Sequence, residues 1–221
     1  MRRIALLALA VSLGAANANA AETSQDAEGH YQALLTAAKA AAPNVDWGQL
    51  RLAYAERPSF QVFSQSAARR QMLQAANASN CKDALPSAKA VIAENYVDVD
   101  AHFIAAYCEE SSGDASESKL DRDIAVGLVR SIQTGDGLTA DAAFTPITVD
   151  EEYALMRALG LKVESQALVQ QGGHSYDVLH ALNEKGERAA YWFLIDRVLA
   201  AEAKTLTPGS VSEGGPPDRG P

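Results

Sequence analysis

The hydrophobic pattern of the chain changes period once, near residue 132, and this change constrains the fold more than any other feature. Between residues 29 and 132 the apolar side chains recur at helical spacing, as in Tyr31, Leu34 and Ala38, and strand signals are almost absent. A helix needs a partner on its apolar face, and the connections between the periodic segments are short. The pattern therefore predicts a region of helical hairpins.

Beyond this region the pattern favours strands. Runs rich in aromatic and β-branched residues occupy 163–170, 175–182 and 188–195. Asn183 to Gly186 form a hairpin turn between the last two runs. Residues 189–195 are apolar on both faces, so we expect them to form the covered central strand. The fold class predicted is α+β: N-terminal helical hairpins followed by a small antiparallel sheet with one or two helices.

Polar residues mark where the predicted helices begin. Asp46 is expected to cap the second helix, and Asp98 or Asp100 the fifth. Asp150 is expected to cap a further helix that leads into the sheet region. Pro86 is compatible with its helix only in the first turn, where no backbone N–H is required.

The two ends of the chain are not expected to be part of the folded region. Arg2 and Arg3 precede an apolar run over residues 4–13, and Ala18-Asn19-Ala20 is a small-residue cleavage signature. We therefore predict a signal peptide over 1–20, cleaved after Ala20, and a periplasmic or secreted bacterial protein. The remaining predicted segments are a polar lead-in at 21–28, the helical-hairpin region at 29–132, a small α+β region at 133–206 and a disordered tail at 207–221.

Charge and composition limit the classes of partner that the protein is expected to bind. The chain has 19 basic and 28 acidic residues, a formal net charge of -9. Without Arg2 and Arg3 the exported chain keeps 17 basic residues against 28, or -11. Such a surface repels phosphate backbones, so nucleic-acid binding is not expected. No other apolar run is long enough to span a bilayer, so no membrane span is expected.

Two cysteines, Cys81 and Cys108, are present in a chain bound for an oxidising compartment. Their number allows one disulfide, and a 27-residue loop of this kind is stabilising. The expected offset between the two residues on antiparallel helices argues against easy bridging. Both alternatives, a bridge and two buried free thiols, stay open from the sequence.

Four segments of the chain form a distinctive set: NYVDVDAH at 95–102, SIQTGDG at 131–137, EEYAL at 151–155 and QALVQQGGHSYD at 166–177. Together they resemble a family of secreted bacterial proteins known only as a domain of unknown function, number forty-nine nineteen. The resemblance covers roughly residues 29 to 199 and implies no reaction. In the helical half, Ala84, Ala88, Ala101 and the Gly113-Asp114 turn resemble the small-residue positions of tetratricopeptide repeats, which serve as binding scaffolds.

Most of the candidate functional residues lie near the predicted sheet. His174, Tyr176 and Asp177 are the catalytic candidates if the chain is an enzyme, acting together with Asp136 at a seam between the two halves. The binding candidates are His102, Asp136, His174 and Tyr176. No ligand spacing indicates a metal, and no motif indicates a cofactor.

Two functions are compatible with the sequence. The favoured one is a non-catalytic module of the bacterial envelope that binds a protein or peptide, since helical hairpins present a surface and no catalytic signature is found. The alternative is a periplasmic hydrolase with its site at the seam between the helical half and the sheet. The presence or absence of a convergent pocket at the seam distinguishes them.

Overall fold

The computed structural model describes residues 13–40, 44–62 and 66–206. The first part of the predicted signal peptide, residues 1–12, and the predicted tail, 207–221, lie outside the described residues. The chain divides into two compact units, Met1–Phe60 and Gln61–Pro221. The predicted domain boundaries and the cleavage site stay predictions.

The first unit contains two helices, α1 (Leu13–Lys39) and α2 (Trp47–Glu56). As predicted, Asp46 caps α2, and its carboxylate accepts a hydrogen bond from the backbone N–H of Gln49 at 2.9 Å. The rings of Tyr31 and Tyr54 lie 5.5 Å apart, and the Arg57 guanidinium lies 4.6 Å from the centre of the Tyr31 ring. Aromatic and cation–π contacts therefore hold this helix pair together.

The second unit begins with four helices that form two consecutive hairpins. They are α3 (Ala67–Asn77), α4 (Cys81–Glu94), α5 (Val99–Ser112) and α6 (Ala115–Ile132). Equivalent helices of the two hairpins start 32 and 34 residues apart, close to the roughly 34-residue period of tetratricopeptide repeats. Small side chains at the contact, Ala88, Ala101 and Ala105, are fully buried with Met72 and let the helices approach closely.

Helix boundaries follow the side-chain caps, with two corrections. Asp98 caps α5 through the N–H of Ala101 at 2.9 Å, which settles the choice between Asp98 and Asp100. The expectation that Pro86 lies in a first turn is wrong, because α4 starts at Cys81 and Pro86 lies in its second turn. The carbonyl that loses its partner belongs to the exposed residue Lys82, where water can replace the bond.

The second correction concerns α7 (Val149–Ala158). Its cap is Thr148, whose hydroxyl accepts from the N–H of Glu151 at 3.2 Å, and the prediction of Asp150 is wrong. Thr148 has the extended backbone of a cap, whereas Asp150 is already inside the first turn. The carboxylate of Asp150 is therefore available to contact Arg69 on α3.

Three strands and a last helix follow: β1 (Lys162–Gln171), β2 (His174–Leu182), β3 (Arg188–Leu194) and α8 (Asp196–Leu206). The strands form an antiparallel sheet in the order β1-β2-β3. The predicted α+β class, with helices first and the sheet after them, is confirmed. Among the described helices none combines the length and the apolar character needed to cross a membrane.

The expectation of a central position for the last strand is wrong, because β2 lies in the middle. β3 is an end strand of the sheet, and another segment covers its outer hydrogen-bonding edge. Phe144 donates its N–H to the carbonyl of Trp192 at 2.9 Å and accepts from Leu194 at 2.8 Å. Its ring packs against Phe193 at 5.4 Å, and Gly137 fits below it because a Cβ there would lie 2.2 Å from the ring.

Candidate functional site

A cavity of about 760 Å³ lies between α3, α5 and α7, and we call it the groove. These are the first helices of the two hairpins and the helix that follows them. Its apolar lining includes Leu73, Phe103, Ile104 and Tyr153. Its charged lining consists of two arginines and two aspartates, Arg69, Arg157, Asp100 and Asp150. A concave surface with an apolar floor and a few charged groups is typical of ligand sites.

The charged wall of the groove is built around Arg69, which is only 5% exposed. Its Nη1 lies 2.7 Å from Asp98 Oδ2, its Nη2 lies 3.0 Å from Asp100 Oδ2, and its Nε lies 3.1 Å from Asp150 Oδ2. One guanidinium therefore joins the starts of α5 and α7 to α3. Burial raises the pKa of Asp98 to about 6 against the opposing effect of Arg69.

Arg157 extends this wall from the last turn of α7. Its Nη2 lies 2.6 Å from Asp100 Oδ2 and 2.7 Å from Asp100 Oδ1, so Asp100 is shared between two guanidinium groups. Asp100 is buried, whereas the side chains of Arg157 and Asp150 are about half exposed. The open edge of the groove thus presents one positive and one negative group.

A second cavity, of about 150 Å³, adjoins the groove. The two share Ala76, Phe103 and Ile104, so their apolar surfaces are continuous. The structure joins Cys81 and Cys108 by a disulfide with a Cα–Cα distance of 5.1 Å, and both cysteines line this cavity. We call it the disulfide pocket. The disulfide fixes α4 to α5 and thereby the shape of the pocket wall.

An exposed aromatic residue stands at the disulfide pocket. Tyr107, on α5, is 61% exposed and lines the pocket. Tyrosine gives a large contact area at a small entropic cost, which makes an exposed tyrosine beside an apolar cavity a suitable contact for a partner.

A buried pair of carboxyl groups lies behind the groove, between α7 and the sheet. Glu152 is 0% exposed, and its carboxyl faces that of Asp177 on β2, which is also buried. Apart from Asp177, neither oxygen of Glu152 has a hydrogen-bond partner among the described residues. Burial and the neighbouring Asp177 raise the pKa of Glu152 to about 9, so Glu152 is a neutral acid at pH 7.

Hydrogen bonds connect this acid pair to the groove. The Tyr153 hydroxyl, in the groove, donates to Gln166 Oε1 at 2.8 Å. Gln166 Nε2 donates in turn to Asp177 Oδ2. Burial raises the pKa of Asp177, while the bonds from Gln166 and Glu152 oppose that rise. The groove wall and the acid pair are therefore separated by one glutamine side chain.

The residues predicted for the seam lie in different contacts. His174 Nδ1 lies 2.6 Å from Asp196 Oδ2 at the start of α8, and the ring is half exposed. Tyr176 is buried against Trp192, with ring centres 5.5 Å apart. Asp136 accepts a hydrogen bond from the N–H of Leu138 at 2.9 Å and orders a turn. Of the seam candidates, Asp177 is the one that lies in the acid pair.

His102 lies in a buried network away from the groove. Its Nδ1 lies 2.6 Å from Asp121 Oδ1, and its Nε2 lies 2.9 Å from the carbonyl oxygen of Tyr96. Although burial opposes it, hydrogen bonds from His102 and Lys89 hold the pKa of Asp121 below its ordinary value. Both ring nitrogens are engaged, and this network ties α4, α5 and α6 together.

Sequence reasoning did not identify Arg69, Arg157 or the partner of Asp177. Arg69 follows two alanines and precedes Arg70, a pattern also typical of a solvated helix face. The available signal was the set of aspartates at 98, 100 and 150, each at a predicted helix start, which together require a cation. Glu152 follows Glu151 in the sequence, and two acidic residues are common in the first turn of a helix; in the structure Glu151 Oε2 accepts from the N–H of Ile147 at 2.8 Å.

Within the described residues no group of three or more histidine, cysteine, aspartate or glutamate side chains is arranged to hold a metal ion. No curated protein and no solved structure matches the chain. A family model does match: the one described as Domain of unknown function (DUF4919) covers residues 21–204, and the chain therefore belongs to the DUF4919 family.

Proposed function

We propose that the protein is a non-catalytic binding module whose groove takes an extended peptide segment of another protein. The observation that carries the proposal is the cavity of about 760 Å³ between α3, α5 and α7, continuous with the disulfide pocket. Grooves lined by the first helices of stacked hairpins present a concave surface of this kind. The apolar floor provides the binding energy and the charged wall orients the ligand.

The geometry of α5 sets the length of the peptide. Asp100, Phe103 and Tyr107 follow one another at intervals of three and four residues, so they lie along one face of α5. The axial distance from Asp100 to Tyr107 is about 10 Å at about 1.5 Å per residue. An extended chain covers that distance with about three residues. A large apolar side chain at one end of such a segment fits the disulfide pocket.

The cellular location is part of the proposal. The family match begins at residue 21, immediately after the predicted cleavage position, and the chain carries an amino-terminal pattern typical of export. A disulfide in the wall of the pocket suits an oxidising compartment. We therefore place the peptide partner in the periplasm or outside the cell.

The test compares two exposed side chains. Tyr107 lines the disulfide pocket, whereas Leu120, which is 44% exposed on α6, lies on neither cavity lining described above. The tagged exported protein and the variants Tyr107→Ala and Leu120→Ala are each used to capture proteins from envelope extract, and the captured proteins are quantified by mass spectrometry. We expect Tyr107→Ala to retain at least tenfold less of the specific partner, since an aromatic side chain that becomes buried on binding contributes a large share of the binding energy.

Equal capture by the wild-type protein and Tyr107→Ala, with both variants folded by circular dichroism, would contradict the proposal. So would a loss of capture with Leu120→Ala alone.

A hydrolase remains the second candidate, and the acid pair is the observation in its favour. A neutral carboxylic acid beside a second carboxyl is an arrangement used for acid–base chemistry. Tyr153 and Gln166 connect this pair to the groove. Hydrolysis of a captured peptide by the wild-type protein and not by Glu152→Gln would favour this candidate over pure binding.

A further inference from the structure

The outer edge of β1 is open. Among the described strands β1 pairs only with β2, and eight of its ten residues are exposed. An edge of this length presents a row of unpaired N–H and C=O groups that can pair with another strand. Leu168, the seventh of the ten residues of β1, is 64% exposed.

Only the beginning of this edge carries features that discourage pairing. Lys162 and Glu164 are charged, and the register of β1 against β2 shifts between Val163 and Ser165, which is the mark of a bulge. Charge and bulges are the usual protection of an edge strand. The following segment, 165–171 with the sequence SQALVQQ, has no charged residue, no proline and no glycine.

We propose that segment 165–171 is a self-association edge, which pairs antiparallel with the same segment of a second copy about a twofold axis at Leu168. The carrying observation is the symmetry of its polarity. Antiparallel pairing centred on Leu168 places polar residues opposite polar ones and apolar residues opposite apolar ones: Ser165 with Gln171, Gln166 with Gln170, and Ala167 with Val169. An isologous contact requires this self-complementarity.

Charge supports the same register. Pairing about Leu168 sets Glu164 opposite Gly172, and Lys162 lies beyond the paired segment because β1 ends at Gln171, so no two carboxylates and no two lysines face each other. Like charges directly opposite in a sheet are destabilising, and this register avoids them although the chain is acidic overall. The exposed Leu168 side chains cover one another at the axis. The product is a continuous six-stranded sheet.

The interface formed in this way is small. Seven residues of one strand cover far less than the roughly 1,600 Å² of a stable complex, so we expect an equilibrium between monomer and dimer that depends on concentration. This proposal does not depend on the groove and stands if the proposed function fails.

Sedimentation velocity of the exported protein over a concentration series provides the test. Wild-type protein should shift from monomer to dimer as its concentration rises. Leu168→Lys brings two lysines together at the axis and should shift the midpoint to at least tenfold higher concentration. The matched control is Leu159→Lys, at another exposed leucine of 40% exposure, which should leave the midpoint unchanged.

A second pair of variants changes charge without changing the number of substitutions. Ser165 and Gln171 lie on the opposite face of β1 from Leu168 and face each other across the axis. Ser165→Lys with Gln171→Lys should weaken the dimer several-fold, whereas Ser165→Lys with Gln171→Glu should restore or strengthen it. A wild-type protein that stays monomeric at the highest concentration overturns the proposal, as does a dimer that responds equally to both double variants.

Discussion

Replacing Glu152 by glutamine should remove a pH dependence from the stability of the second unit. In the folded chain Glu152 keeps its proton up to pH about 9, because its carboxyl is buried beside Asp177, and Glu151 and Glu202 add further negative charge. In the unfolded chain it ionises near 4.5. Glutamine has the same shape, is neutral at every pH, and can donate to Asp177 as the carboxylic acid does.

The sign follows from proton uptake on folding. Between pH 4.5 and 9 the folded state holds a proton that the unfolded state has lost, so the free energy of unfolding falls as the pH rises. The contribution is complete below pH 4.5 and is lost progressively towards pH 9. Each pH unit costs about 1.4 kcal/mol, so the wild-type protein should lose about 4 kcal/mol relative to Glu152→Gln between pH 5 and pH 8.

Urea unfolding at pH 5, 6, 7 and 8 measures the effect. The chain has two tryptophans, Trp47 in the first unit and Trp192 in β3. In a Trp47→Phe background the fluorescence of Trp192 reports unfolding of the unit that contains Glu152. Other ionisable groups titrate in both proteins, so the difference between the two free energies isolates the acid pair.

The matched control is Glu94→Gln, at an exposed glutamate near the end of α4. Its unfolding free energy should follow that of the wild-type protein across the series. Parallel curves for wild type and Glu152→Gln, or a variant that is less stable at pH 8, would refute the account of Glu152 as a buried neutral acid.

Four further outcomes are expected. Reduction of the Cys81–Cys108 bridge should lower the free energy of unfolding by about 3.5 kcal/mol, since it releases a 27-residue loop, and urea titration with and without reductant measures the loss. Arg69→Met leaves three carboxylates without their common cation and should cost about 3–5 kcal/mol in the same assay. Deletion of 207–221 should leave the melting temperature unchanged, and a clear decrease would mean that the segment docks. Amino-terminal sequencing of the protein isolated from its native cells should begin immediately after Ala20, and an intact amino terminus on cytosolic protein would contradict export.

Local signals in the sequence determine much of this fold, because capping and turn chemistry act over a few residues. Asp46 and the Gly113-Asp114 turn could be predicted directly, since each satisfies backbone groups next to it in the chain, and the cap of α5 could be narrowed to Asp98 or Asp100. The strands were predicted to within one residue at each end for the same reason. Thr148 was missed because a second acceptable cap, Asp150, lies two residues later.

Contacts that join distant segments could not be predicted in this way. The apolar run of β3 indicates a strand covered on both edges. One edge pairs with β2, and the other is covered by Gly137 and Phe144 and not by another strand of the sheet. The pairing of Glu152 with Asp177 depends on where α7 lies against β2, which no local pattern encodes. Arg69 likewise gains its three carboxylate partners only when the starts of α5 and α7 pack against α3.

Gln166 links the two proposed surfaces of the molecule. Its side chain accepts from Tyr153 in the groove wall and donates to Asp177 in the acid pair, and its backbone lies within the self-association edge. Pairing of β1 with a second copy would restrain that backbone on both sides. The Gln166 side chain, and through its hydrogen bond the Tyr153 side chain, would then be restrained as well. The dimer would then hold two grooves at a fixed distance from each other. A partner with two matching segments would bind both, because the first contact raises the effective concentration of its second segment at the other groove. Self-association through the small interface and binding in the groove would thus reinforce each other.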